Sequence, residues 1–133
     1  MLVHHRDGKS VGVCSIFCAA KDYIRSLDQA PDWMRVADYN TKKLVDAGRA
    51  YWVMGGSKSG VMTNRAKWAF ESKQDALSFT KTYGGELIDF AGAMQASYED
   101  VYEDMRVLKQ LKQEHSRMRR RDLIAGSAGI ATN

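Results

Sequence analysis

The sequence predicts an α+β fold in which one ββαβ unit is used twice, followed by an amphipathic helix and a disordered basic tail. Three observations carry this prediction. Strand-like alternation and helix-like spacing occur in the same order in residues 1–40 and again in residues 50–90. A serine precedes each helix-like stretch, and helix-breaking residues follow it. Beyond Phe90, apolar residues recur three and four apart along an otherwise charged stretch.

The first unit opens with a strand at Leu2–Arg6, a turn at Asp7-Gly8, and a partner strand at Ser10–Cys14. Ser15 stands where an N-cap belongs. Ile16, Ala19, Ala20, Tyr23, Ile24 and Leu27 then recur at helical spacing until Asp28-Gln29-Ala30-Pro31 breaks the pattern. Trp33–Tyr39 returns to alternation as the closing strand. Asn40–Lys43 and Asp46–Arg49 read as turn-rich connection.

The second unit repeats the order with a strand at Ala50–Met54, a flexible Gly/Ser loop at Gly55–Gly60 and a strand at Ala66–Phe70. Ser72 caps a helix to Tyr83 with an apolar face of Ala76, Leu77, Phe79 and Thr80, and Gly84-Gly85 ends it. Glu86–Asp89 closes the unit. The expected organisation is a domain over 1–90, an increasingly basic helix over 91–121, and a flexible tail over 122–133. Met94, Tyr98, Val101, Met105 and Leu108 mark the apolar stripe of that helix.

A chain of 133 residues with 44% hydrophobic content suits one compact domain and an appendage. No apolar run approaches the roughly 20 residues that span a bilayer. Met1–Asp7 reaches a charge and a turn at once, without a signal peptide's apolar stretch, so the chain as written is expected to stay where it is made. The net charge of +4 is uneven: Arg106–Asp122 holds seven basic and two acidic residues, leaving the rest close to neutral. A basic globular surface for nucleic acid is therefore not expected. Arg117, Arg119, Arg120 and Arg121 leave open a basic-tail module for nucleic acid or an acidic membrane.

Cys14 and Cys18 are the only cysteines, and they frame the passage from strand to helix. Four residues apart at a helix start, two sulfurs reach one soft metal ion or each other. The partial positive charge of the helix N-terminus stabilises a thiolate there. Burial as two small hydrophobes is the plainer alternative, and a thiol-disulfide redox protein is a third, although the spacing is one wider than C-x-x-C. Met62 follows the Gly/Ser loop, where a methionine is either an apolar anchor or a thioether ligand for Cu(I). His4 and His5 point to opposite faces of a strand and do not chelate together, and His115 lies in the basic helix. Carboxylate pairs Glu99-Asp100 and Glu103-Asp104 read as a solvated helix face. No Ser-His-Asp set, P-loop, dinucleotide fingerprint or HExxH occurs, so no enzyme is expected.

Cys14-Ser15-Ile16-Phe17-Cys18-Ala19-Ala20, Val36–Asn40, Leu44–Ala47, Tyr51–Gly56, Gly60–Thr63 and Ala66–Phe70 fall in an order that resembles the nitrous oxide reductase accessory protein (NosL) family. Asp75-Ala76, Phe79 and Gly84-Gly85 continue the resemblance, which covers roughly residues 1–105. It implies paired ββαβ units and an exported, often membrane-anchored protein that delivers Cu(I) towards nitrous oxide reductase or its assembly machinery. The implied ligands are Met62, matching the family's methionine after the loop, together with Cys14 and Cys18, which match a CxxxC variant similar to half of a TRASH motif. Copper is the implied cargo, with zinc the lesser alternative, and a copper-accepting protein is the implied partner. The family's Cys-Gly-Met segment belongs upstream of the first hairpin, and the export signal and any membrane anchor are expected in the same segment. The implied location is periplasmic or membrane-anchored, or cytoplasmic if Met1 is the true start.

Overall fold

The computed structural model describes residues 1–25, 31–60 and 65–131, with side chains as far as Gly126. Its elements are β1 (Leu2–His5), β2 (Ser10–Gly12), α1 (Ile16–Arg25), β3 (Pro31–Ala37), β4 (Leu44–Asp46), β5 (Tyr51–Met54), β6 (Lys67–Phe70), α2 (Lys73–Tyr83), β7 (Glu86–Ile88) and α3 (Phe90–Ala131). Two antiparallel sheets form, ordered β2-β1-β3-β4 and β6-β5-β7. In each, the unit's first strand is central, its hairpin partner lies on one side, and the strand after the helix lies on the other. The duplicated ββαβ order is therefore a duplicated topology.

Local chemistry explains the hairpin that opens the first unit. Gly8 adopts φ 88°, a left-handed conformation that costs a side-chain-bearing residue strain and glycine little. Its N–H donates to His5 O at 3.0 Å, while Asp7 Oδ1 accepts from Lys9 N at 3.0 Å. Pairing of Val3 with Val11 and Met34 buries Val3 to 1% exposure. His4 points the other way and stacks on Trp33, with ring centroids 4.7 Å apart.

The strand β4 differs from the expected connection. Asn40–Lys43 does turn, but Leu44–Asp46 pairs with Arg35–Ala37 and widens the first sheet to four strands. Three residues carry too little local signal; the partner strand supplies the stabilisation.

The compact unit runs from Met1 to Val101. One core cluster joins both repeats: Ile16, Phe17, Ala20 and Val36 from the first meet Trp52 and Ala69 from the second, with Ala93, Met94 and Val101 of α3. A second cluster, Val53, Phe70, Ala76 and Phe79, lies under α2. Burying a side chain of this size contributes roughly 1.5–3 kcal/mol. Leu77, placed on the apolar face by its spacing, is instead exposed.

Asp38 stitches the repeats together. Only 1% exposed, it accepts from Asn40 N and Thr41 N on Oδ1 and from Glu71 N of the second repeat on Oδ2, at 2.7–2.9 Å. Tyr39 N donates to Ala69 O at 2.9 Å beside it. Burial raises the cost of the carboxylate's charge, yet the three N–H donors hold its pKa below the usual value.

Glu99 is exposed, as a solvated helix face requires, but Asp100 is not. Asp100 accepts from Arg65 Nε and Lys67 Nζ at 2.7 Å each, and the Lys67 side chain is 1% exposed. Arg65 also bonds Ala96 O and Glu99. The basic partners lie more than 30 residues away in sequence, so no local pattern reveals them.

The second unit, Tyr102–Asn133, is helical as far as Ala131. Helix therefore continues through residues 122–131, the stretch expected as a flexible tail; Leu123, Ile124 and Ala125 suit it, while Gly126 disfavours it by about 1 kcal/mol relative to alanine. Met105 and Leu108 of the expected stripe are exposed, as are Leu111 and Met118. Stripe residues Met94 and Val101, by contrast, lie in the core of the first unit.

Candidate metal centre

The start of α1 is built by Ser15. Its backbone O accepts from Ala19 N at 3.0 Å, and its Oγ accepts from Cys18 N at 3.4 Å, so it caps the helix as its sequence position predicts. This places Cys14 just outside the helix and Cys18 in its first turn. Their Sγ atoms lie 2.7 Å apart, with one thiol donating to the other, and both are free cysteines. Cys14 is exposed, while Cys18 is half-buried against the core that Ile16 and Phe17 enter.

The two thiols are electrostatically unequal. The bond to Cys18 pushes the Cys14 pKa up, assisted by slight desolvation and by charge on its partner. Burial pushes Cys18 up as well, but the bond from Cys14, the Ser15 hydroxyl, the helix N–H and the Lys21 ammonium outweigh it and bring the net value below the ordinary one. Of the two, Cys18 has the surroundings that favour a thiolate and Cys14 those that favour a thiol. Two adjacent sulfurs, one of them exposed, form a two-sulfur donor set for a soft metal.

Cys14 opens onto a cavity of about 170 Å³ lined by residues of both repeats. Met1, Cys14, Tyr39, Trp52, Gly60 and Trp68 are among its walls. The first repeat thus supplies the sulfur, and the second supplies Trp52, Trp68 and Gly60. Met62, the third candidate ligand, lies outside the described residues; Gly60, two positions before it, reaches the cavity wall. Among the described residues, no group of three or more His, Cys, Asp and Glu side chains is placed to hold a metal.

Histidine is engaged elsewhere. His5 is 6% exposed and its Nε2 lies 3.1 Å from Asp22 Oδ2, to which it donates when that nitrogen carries the proton. His4 Nδ1 lies 2.8 Å from Ser10 Oγ, and His115 is exposed on α3.

Sequence reasoning missed Tyr39, Trp68 and Lys58 as parts of this region. Lys58 Nζ donates to Tyr39 Oη and sits over the rings of Tyr39, Tyr83 and Trp68 at 4.6, 5.3 and 5.7 Å. The only local signal was one lysine within a Gly/Ser loop. The aromatic partners come from three separate elements or connections and meet only in the fold.

Comparison with curated proteins found no match. Among solved structures, the fold is similar to that of the copper chaperone NosL from Shewanella denitrificans, with a TM-score of 0.60 at 23% identity over 71% of this chain and 78% of that one. The similarity agrees with the paired-unit α+β architecture. Residues 8–98, which include both thiols and all of the second repeat, match the NosL family, so the chain belongs to that family.

Proposed function

We propose that this protein is a metallochaperone whose cargo is copper as Cu(I), held by Cys14, Cys18 and Met62. The observation that carries the reading is the thiol pair at the capped start of α1, whose Cys14 opens onto a cavity that Gly60 also lines. Sulfur donors select the monovalent ion over harder divalent ones. Zinc, which accepts thiolates, is the lesser alternative cargo. Exposure of Cys14 suits transfer, because an acceptor thiol can approach the ion from solvent while Cys18 still holds it. Family membership and the fold shared with a copper chaperone support the same reading.

The proposed acceptor is a copper protein, with nitrous oxide reductase or its assembly machinery the specific candidate that the family resemblance implies. The proposed place of action is the periplasm or the membrane surface facing it. Anaerobic titration with Cu(I) under a competing chelator tests the cargo. The wild type is expected to take up one equivalent. Cys14→Ser and Cys18→Ser are expected to lose more than the roughly 100-fold that outer-sphere changes cost. Met62→Leu is expected to weaken binding as well, and unchanged stoichiometry and affinity in all three variants would sink the assignment.

The 2.7 Å approach of the sulfurs favours one alternative, a thiol-disulfide redox protein. Such a protein turns over a model disulfide. A chaperone instead shows thiols protected by metal and no turnover.

A further inference from the structure

We infer that Lys58 is a positioning residue that fastens the second repeat's Gly55–Gly60 loop to the first repeat beside the Cys14 cavity, and thereby sets how fast the site exchanges its cargo. The reasoning begins at the root of the loop. Gly55 N donates to Ala66 O at 2.8 Å, and Ser57 bonds Tyr83 O through both its N–H, at 2.7 Å, and its hydroxyl, at 3.1 Å. Gly56, at φ 89°, packs so closely that an added Cβ would lie 2.8 Å from Tyr83 O. The root is therefore pinned, contrary to the mobile connection that Gly and Ser suggest.

Beyond the root, Lys58 is the side chain that ties the loop down. Its ammonium enters a box of three half-buried rings, each presenting a π-face to the cation. Tyr83 and Trp68 belong to the second repeat. Tyr39 belongs to the end of the first, where the preceding Asp38 holds the N–H groups of Asn40 and Thr41 just after it and of Glu71 in the second repeat. The Tyr39 hydroxyl accepts from Lys58, adding a directional bond between repeats. Tyr39 and Trp68 are also walls of the cavity that Cys14 lines, and Gly60 enters the same cavity two residues after Lys58. One side chain thus fixes the spacing between the thiol-bearing helix start and the loop facing it.

The rate claim rests on the copper reading above, whereas the fastening does not, and the experiment keeps them apart. In the full chain, amide exchange at Ser57–Gly60 is compared among wild type, Lys58→Leu, Lys58→Arg and Tyr39→Phe. Transfer of bound Cu(I) to excess chelator is timed in parallel. Leucine removes the charge and adds no sulfur donor beside the site, so exchange and transfer are both expected to rise about tenfold, with one-equivalent uptake retained. Arginine, which stacks on rings as a cation, is expected to restore near wild-type behaviour. Tyr39→Phe removes the hydroxyl but not the ring and is expected to fall between. Unchanged exchange in Lys58→Leu overturns the fastening whatever copper does. Faster exchange with unchanged transfer overturns its control of the site. A wild type that takes up no Cu(I) defeats the copper reading and leaves the exchange data to decide the fastening.

Discussion

The two repeats share a topology and differ in chemistry at one equivalent place, the start of the helix. Aligned on the capping serines, Cys14, Ser15 and Cys18 of the first repeat correspond to Glu71, Ser72 and Asp75 of the second. Both helix starts present N–H groups and a positive dipole end, and both place an ionisable acidic side chain, Cys18 or Asp75, in the first turn. In the first repeat that group is a soft sulfur with a second sulfur beside it. In the second it is a hard carboxylate, and the Glu71 backbone N–H is committed to Asp38. The fold supplies a helix start of the same polarity twice, and side-chain identity makes only the first a pair of soft donors, the chemistry on which the proposed metal site rests.

The comparison breaks most sharply on metal binding. Replacing Cys14 and Cys18 together with serine is expected to abolish stoichiometric Cu(I) uptake. Replacing Glu71 and Asp75 with glutamine and asparagine is expected to leave uptake intact and to cost stability only about 0.3–1 kcal/mol, the ordinary worth of a carboxylate at a helix start. Competition titration and denaturant unfolding read the two effects separately. Copper lost from the carboxylate variant would mean that the second repeat contributes to the site after all.

Much of this contrast is legible in the sequence, because turns, caps and alternation are local. Asp7-Gly8, Ser15, Ser72 and Gly84 punctuate the chain, and the order of elements follows from them. The cysteine pair is equally local, four residues apart at a helix start. What the sequence hides is long-range. Leu44–Asp46 becomes a strand only because β3 offers an edge. Asp100 becomes half of an ion-pair cluster only because Arg65 and Lys67 arrive from β6 and its approach. Lys58 finds its rings 19, 10 and 25 residues away. Met105 and Leu108 continue the periodicity of Met94 and Val101, but periodicity does not say where the covering core ends.

The next effect concerns the stitch between repeats. Asp38 has its pKa depressed by three N–H donors despite burial, so its stabilising contribution is fully present above the unfolded value near 4. The contribution is lost as pH falls through the lower folded value. Asp38→Asn removes the charge at every pH. At neutral pH it is expected to cost about 1.5–3 kcal/mol, the worth of hydrogen bonds to a charged group. Below the folded pKa the variant and wild type are expected to converge. Denaturant midpoints measured from pH 7 down to pH 2.5 test this, and a constant gap across the range would show that Asp38 acts by shape and not by charge.

The smallest effect separates the two serines, and it bears most directly on why only one repeat holds thiols in a reactive setting. Ser15 Oγ accepts from Cys18 N, whereas Ser72 makes no side-chain bond to its helix. Ser15→Ala is expected to cost about 0.5–1 kcal/mol, the lower part of the capping range because the bond is long at 3.4 Å, and Ser72→Ala is expected to cost only a few tenths. The Ser15 hydroxyl also helps lower the Cys18 pKa, so its loss moves that pKa back up. The thiolate fraction at neutral pH then falls, and the pH at which the first thiol is alkylated by iodoacetamide shifts upward. Ser72→Ala, with no sulfur beside it, is expected to leave the alkylation profile where it was. If Ser15→Ala leaves it there too, the lowered pKa of Cys18 comes from the neighbouring Cys14, the backbone N–H at residue 15 and Lys21, and the cap serves the helix without tuning the site.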